Sequence, residues 1–169
     1  GYQPIGGVLA QGKLVERLRK GSGFFQHGHT YIGHPVAAAA ALAVQKVIER
    51  DDLLATVRMR GETFMGMLKN AFGRHAHVGD IRGRGLLLAL ELVEDRESKK
   101  PFAPDRKLHA AVKAKAMANG LMVYPMGGTI DGQHGDHILL APPFIATDAD
   151  LSEIVSRLVE SVDAALKVS

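Results

Sequence analysis

The chain has 169 residues, enough for one ordinary domain, and its apolar and charged fractions of 46% and 23% are typical of a soluble globular protein. The 21 basic and 18 acidic residues are scattered rather than clustered, so the net charge of +3 does not indicate a nucleic-acid partner. The lack of cysteine excludes disulfides and thiolate metal sites and fits a cytoplasmic location, and the longest apolar run, 35–44, is too short to span a membrane.

The first part of the sequence predicts a strand, a helix, a long loop and a second helix. The apolar run 5–10 predicts a short buried strand, and 12–20 has helical spacing with a basic last turn. The loop 21–34 is rich in glycine, histidine and phenylalanine, and loops of this length are often functional. Pro35 then opens an apolar helix that we expect to run to Arg50 and to be buried on most faces.

The rest of the sequence alternates between helices and strands, which predicts an α/β or α+β arrangement. An amphipathic helix is predicted at 51–72, a turn-rich lead at 79–85, a strand at 86–93 and a surface connection at 95–104. A helix follows at 106–118, a short strand at 121–124, a glycine-rich hairpin or loop at 127–136, a strand at 137–141 and a final helix at 147–168. Thr147, followed by Asp148 and Asp150, predicts the N-terminal cap of the final helix.

Three histidines, His27, His29 and His34, lie in the long loop. The H-x-H spacing can bind zinc, but the loop offers no acidic residue or cysteine to complete a site. Loop histidines more often pack or form hydrogen bonds. We therefore predict no metal site.

The segment 79–85, Gly-Asp-Ile-Arg-Gly-Arg-Gly, could bind an anion through its arginines and glycines. It precedes a strand, however, whereas the dinucleotide-binding glycine motif follows a strand and opens a helix. A tight turn whose arginines pair with carboxylates fits better, with Asp80 and Arg82 as the obvious pair. No serine has the context of a hydrolase nucleophile.

Four segments together resemble the class III aminotransferases, which depend on pyridoxal phosphate. Residues 1–8 resemble the segment that follows the Schiff-base lysine of that family, and 28–40 resemble its G-x-T-x-x-G-x-P motif and alanine-rich helix. Residues 78–92 are similar to its V-G-D-x-R-G-x-G-L strand with a later Glu-Leu, and 141–145 to its A-P-P segment. The matches occur in family order and cover almost the whole chain.

The resemblance implies an α/β fold, the C-terminal part of a type I pyridoxal-phosphate fold. Residues 1–33 would end the large cofactor-binding domain, 34–74 would be connecting helices, and 75–169 the small C-terminal α/β domain. It also implies a homodimer or higher homo-oligomer in which Thr30 binds the cofactor phosphate of the neighbouring subunit. His29 would contribute through its backbone.

The Schiff-base lysine of the family would lie upstream of Gly1, so no catalytic residue is assigned within the chain. Lys13 and Lys20 are on the following helix and cannot replace it. We therefore expect the chain to be a fragment without transaminase activity, cut from an enzyme that transfers an amino group to an oxo acid.

The substrate prediction depends on two positions where relatives of some subgroups place a carboxylate-binding arginine. This chain has Gly132 and Leu139 there. That favours an amine or ω-amino acid as donor, with pyruvate or a similar oxo acid as acceptor. Two alternatives stay open: an aminomutase on the same scaffold, and a non-catalytic oligomerisation domain.

Overall fold

The computed structural model describes residues 2–167, so Gly1 and the predicted helix end at Val168 lie outside the described residues. Contacts divide the chain into an N-terminal unit, residues 1–52, and a C-terminal unit, residues 53–169. The assignment of 1–33, 34–74 and 75–169 to parts of a larger fold stays a prediction. Among residues 2–167, no helix combines the length and apolarity that crossing a membrane requires.

The N-terminal unit contains two helices joined by the predicted loop. Helix α1 spans Gly12–Lys20 and helix α2 spans Pro35–Arg50, as their sequence patterns predict. Pro35 is the first residue of α2, where its fixed φ suits a helix and its missing N–H removes no bond. The helix is continuous through its alanine-rich stretch because alanine has the highest helix propensity.

Two predictions for the N-terminal unit are wrong. The run 5–10 is exposed and forms no strand, because no other segment of residues 2–52 forms the backbone hydrogen bonds of a ladder with it. In α2 only Ala37 is buried. Burial of an apolar helix needs a second packed layer, and the described part of this unit provides none.

The C-terminal unit contains a four-stranded antiparallel sheet in the order β1-β2-β4-β3, together with three helices. The strands are β1 Val78–Arg84, β2 Leu87–Leu92, β3 Tyr124–Gly127 and β4 Asp136–Leu140. The helices are α3 Leu53–Phe72, α4 Leu108–Ala118 and α5 Asp148–Leu166, and a short 3-10 helix spans Pro104–Arg106. Helix α5 packs on α3 and α4. Helix α3 contacts strand β1, and helix α4 contacts strands β3 and β4.

Two sheet segments differ from their predictions. The predicted turn 79–85 is wrong except at its end: residues 78–84 form strand β1, and only Gly85 lies in the turn to β2. Strand β1 pairs with β2, and the register shifts between Val78 and Asp80. Strand β3 begins at Tyr124 rather than at Leu121. The Leu121 N–H donates to the Ala116 carbonyl at 2.8 Å, which holds this residue against the end of α4.

The core of the C-terminal unit follows from side-chain periodicity. Alternate residues of β2 and β4 face inward, and the helices add residues at helical spacing. The fully buried members include Phe64, Leu68, Phe72, Leu88, Leu90, Leu92, Val112, Ile138, Leu151, Leu158 and Val162. Thr147 caps α5 as predicted, in a reciprocal capping box with Asp150.

Candidate functional site

The predicted phosphate-binding residue, Thr30, lies in the exposed loop between α1 and α2. Within residues 2–167, neither its hydroxyl nor its backbone N–H has a hydrogen-bond partner. The neighbouring His29 is also exposed, and its carbonyl accepts a hydrogen bond from the Ile32 N–H at 3.0 Å. The two predicted residues therefore stand together at the surface, with the donors of Thr30 directed to no other described group.

Two consecutive turns hold this part of the loop. The first is closed by the bond from Ile32 to His29, with Thr30 and Tyr31 between them. The second is closed by the His34 N–H, which donates to the Tyr31 carbonyl at 3.1 Å. Gly33 lies inside the second turn with a φ of 71°, a left-handed conformation that a side chain would disfavour.

His34 is the N-terminal cap of α2, a role that the sequence analysis missed. Its Nδ1 accepts a hydrogen bond from the Ala37 N–H at 3.2 Å. The sequence carries a signal for this role, because the residue before a helix-opening proline occupies the cap position. The loop is thus tied directly to the start of a 16-residue helix.

A cavity of about 450 Å³ adjoins these turns within the N-terminal unit. Its walls come from the segment 3–6, the turns around Thr30 and the first turns of α2. The lining residues are Gln3, Pro4, Ile5, Gly6, His29, Tyr31, Ile32, Gly33, His34, Ala37 and Ala38. The lining is largely apolar, with its few polar side chains on the histidines, Tyr31 and Gln3.

The third loop histidine, His27, makes ring contacts. His27 lies edge-on to His29, with ring centroids 4.9 Å apart, and 5.7 Å from the ring of Phe25. Within residues 2–167, no group of three or more histidines and carboxylates could hold a metal ion.

The arginine-rich segment now forms β1, and its predicted ion pair is confirmed. The Arg82 guanidinium donates to Asp80 at 2.9 Å and also to Glu91 on the paired strand β2. The hydrogen bond to Glu91, followed by that to Asp80, raises the pKa of Arg82. Because two carboxylates already neutralise this arginine, the segment does not form an anion site around it.

A pair between a buried aspartate and a half-buried histidine also went unnoticed in the sequence. Asp136 is only 6% exposed and accepts hydrogen bonds from the His109 backbone N–H at 3.0 Å and from its ring Nδ1 at 2.7 Å. The signal was the alternation of β4, which places Asp136 on the same face as Ile138 and Leu140. The pair fastens the start of α4 to the start of β4.

The two positions considered for substrate recognition lie in the hairpin formed by β3 and β4. Gly132 is in the loop between β3 and β4 with a φ of 88°, and Leu139 is half-buried in β4. Neither residue has a positively charged side chain that could bind a carboxylate. Lys13 and Lys20, dismissed as cofactor lysines, are exposed on α1.

The sequence model of the aminotransferase class-III family matches residues 1–162. The chain belongs to the class III aminotransferases. The chain is similar to an aminotransferase of Gibberella zeae, with 41% identity over 98% of this chain and 33% of that protein's length. The diaminobutyrate–2-oxoglutarate transaminase of Halomonas elongata is 34% identical over 96% of the chain and 34% of its own length.

Solved structures agree with this family assignment. A PLP-bound mutant aminotransferase from Vibrio fluvialis has a TM-score of 0.78 and 32% identity, covering 91% of this chain and 32% of that chain. The predicted α/β fold of the type I transaminases is confirmed. The chain spans about a third of the length of the relatives it matches.

Proposed function

We propose that the whole protein is a pyridoxal-phosphate-dependent aminotransferase and that the Thr30 loop binds the cofactor phosphate. The observation that carries this proposal is the exposed Thr30, whose hydroxyl and N–H have no partner within residues 2–167. Both groups are hydrogen-bond donors, and a phosphate is a strong acceptor. When bound, pyridoxal phosphate supplies an electron sink for the chemistry at the amino-bearing carbon.

The charge of the loop suits a phosphate. Residues 21–34 contain no aspartate or glutamate, so the loop itself does not repel an anion. His29 adds its backbone beside Thr30, and the two turns fix the direction of both residues. These features support the cofactor assignment for His29 and Thr30.

The exposure of Thr30 also supports a shared site. A hydroxyl at the surface of its own chain can reach a cofactor that is held mainly by a second copy of the protein. We therefore propose a homodimer or larger homo-oligomer in which this loop completes the phosphate site of the neighbouring subunit.

The cofactor-bonding lysine is proposed to lie outside residues 1–169. Neither Lys13 nor Lys20 occupies the loop that contains His29 and Thr30, since both lie on α1. The residues of this chain therefore bind and orient, while the proton transfers at the reacting carbon fall to groups elsewhere. We expect the 169-residue chain alone not to transaminate.

For the substrates, we propose an amine or ω-amino acid as donor and an oxo acid such as pyruvate as acceptor. Gly132 and Leu139 provide no guanidinium for the bidentate binding of a second carboxylate. The relative from Halomonas elongata is named for diaminobutyrate, an amino acid with an ω-amino group, which supports this donor class.

The substitution Thr30→Ala tests the phosphate site. It removes one charge-assisted hydrogen bond, so we expect the affinity of the whole protein for pyridoxal phosphate to fall about tenfold or more, or roughly 1.5–3 kcal/mol. The measurement is the equilibrium dissociation constant of the cofactor.

Two further variants sharpen this test. Thr30→Ser keeps a hydroxyl and should retain most of the affinity. Thr63→Ala removes an exposed hydroxyl from α3 that donates to the Met59 carbonyl, and it should leave cofactor affinity unchanged. An unaltered dissociation constant for Thr30→Ala would exclude this threonine from the site.

A further inference from the structure

His34 makes three hydrogen bonds at the junction between the Thr30 turns and α2. Its backbone N–H donates to the Tyr31 carbonyl at 3.1 Å, and its carbonyl accepts from the Ala38 N–H at 3.0 Å. Its ring Nδ1 accepts from the Ala37 N–H at 3.2 Å. One residue thus joins the second turn to the helix through its backbone and its side chain.

The side-chain bond requires a neutral imidazole. Nδ1 can accept a hydrogen bond only while it carries no proton, so the ring proton must be on Nε2. Protonation of His34 converts Nδ1 into a donor that faces the Ala37 N–H, and the cap is lost. Protonation also places a positive charge at the N-terminus of α2, the positive end of the helix dipole. This repulsion further disfavours keeping the protonated ring in its capping position.

Among the described residues, those that line the cavity with His34 carry no negative charge to compensate a protonated ring. The elements that line the cavity with it are the segment 3–6, the turns around Thr30 and the start of α2. Their other titratable side chains in the lining are His29 and Tyr31, and the lining includes no carboxylate, lysine or arginine. The Tyr31 ring lies edge-on at 6.1 Å. The first turn of α2 contains no acidic residue.

The cap is connected to Thr30 through a short series of bonds. The turn that encloses Thr30 shares Tyr31 with the turn that ends at His34, and His34 is fixed to α2 by its cap. Loss of the cap removes one of the three bonds at His34 and leaves the two backbone bonds, so the junction between the second turn and α2 is held less firmly, and a looser loop must be ordered again when it binds a phosphate. That ordering lowers affinity through lost conformational entropy.

We propose that His34 is a positioning residue that makes phosphate binding by the Thr30 loop depend on pH. The inference rests on the proposed function of Thr30. Neutral His34 holds the loop in its binding conformation, and protonated His34 releases it. Because the neutral form of His34 is the one that favours binding, the affinity for the cofactor phosphate is highest at high pH. It decreases as the pH falls and His34 gains its proton.

The test measures the dissociation constant of pyridoxal phosphate for the whole protein at about pH 8 and about pH 5.5, the range in which histidines change charge. His34→Asn is the matched variant, because asparagine is a strong N-terminal cap that does not titrate. Taking the ratio of wild-type to His34→Asn affinity cancels the pH effects that the two proteins share, including the change of charge on the cofactor phosphate. We expect this ratio to fall about twofold to tenfold at the lower pH, the range expected for a lost cap.

His34→Ala removes the cap at every pH, so it should bind more weakly than His34→Asn at about pH 8. A wild-type to His34→Asn ratio that is equal at both pH values would overturn the inference. A cofactor affinity unchanged by Thr30→Ala would instead overturn the proposed function. If Thr30→Ala weakens cofactor binding but the ratio of wild-type to His34→Asn affinity is the same at both pH values, only the role proposed for His34 is rejected.

Discussion

Two glycines of α3 differ in what surrounds them, although they lie on the same helix. A Cβ on Gly61 would lie 2.6 Å from the backbone of Gly85, whereas a Cβ on Gly66 would meet nothing within 4 Å. We expect Gly61→Ala to lower the free energy of unfolding by about 1–3 kcal/mol, because the helix must move away from the β1–β2 turn. Urea denaturation of the 169-residue chain measures the change.

Gly66→Ala is the matched control, since the same substitution fills open space. It should raise the free energy of unfolding by about 0.5–1 kcal/mol through the better helix propensity of alanine. Equal effects at the two positions would contradict the close approach of α3 to Gly85.

Individual side-chain partners were predictable from the sequence only when they were local. The pair between Asp80 and Arg82 was predicted, but the bond from Arg82 to Glu91 depends on the register of β1 against β2. Thr30 and His29 could be selected through the family motif. The cap by His34 could have been recognised from Pro35, but its hydrogen bonds to both neighbouring segments could not.

The loop between β3 and β4 is an element with its own internal order. Asp131 accepts hydrogen bonds from the backbone N–H groups of His134 and Gln133 at 2.7 and 2.9 Å, and from the His134 ring at 2.8 Å. The backbone donors, first that of His134, lower the pKa of Asp131 to about 2. The carboxylate form is therefore the one that stabilises the turn.

The sign of the effect follows from this lowered pKa. Stabilisation by Asp131 is present above the ordinary aspartate pKa of about 3.9 and is lost as the pH falls towards about 2. We expect a carboxyl ¹³C NMR titration to give a midpoint of about 2. In His134→Ala the ring donor is removed but both backbone donors remain, so the midpoint should rise only part of the way. An ordinary midpoint in the wild type would contradict the turn.

At the scale of elements, periodic patterns were reliable and glycine-rich ones were not. Helices α1, α2, α4 and α5 follow from apolar spacing and end signals. Strand β1 was mistaken for a turn because its glycines and charges show no alternation, and pairing with β2 decides its conformation. A strand is defined by its partner, which a local pattern does not reveal.

The whole molecule concentrates its buried apolar residues in one unit. All members of the continuous hydrophobic cluster lie in the C-terminal unit, whereas Ala37 is the buried residue of α2. We expect amides of β2 and β4 to exchange hydrogen only on global unfolding, typically about 5–15 kcal/mol, and amides of α2 to exchange close to the exposed limit. Hydrogen-exchange mass spectrometry of the 169-residue chain compares the two. Similar protection in α2 and β2 would contradict this division.

The strand order has a consequence for how the chain is made. Strand β2 lies between β1, which precedes it directly in sequence, and β4, which follows only after the whole segment 93–135. During synthesis on the ribosome, the β1–β2 hairpin can form early, but one edge of β2 stays open until Leu140 has left the exit tunnel. An open edge of this kind favours pairing with other chains. We conclude that the nascent polypeptide passes through an aggregation-sensitive interval that ends only when β4 joins the sheet.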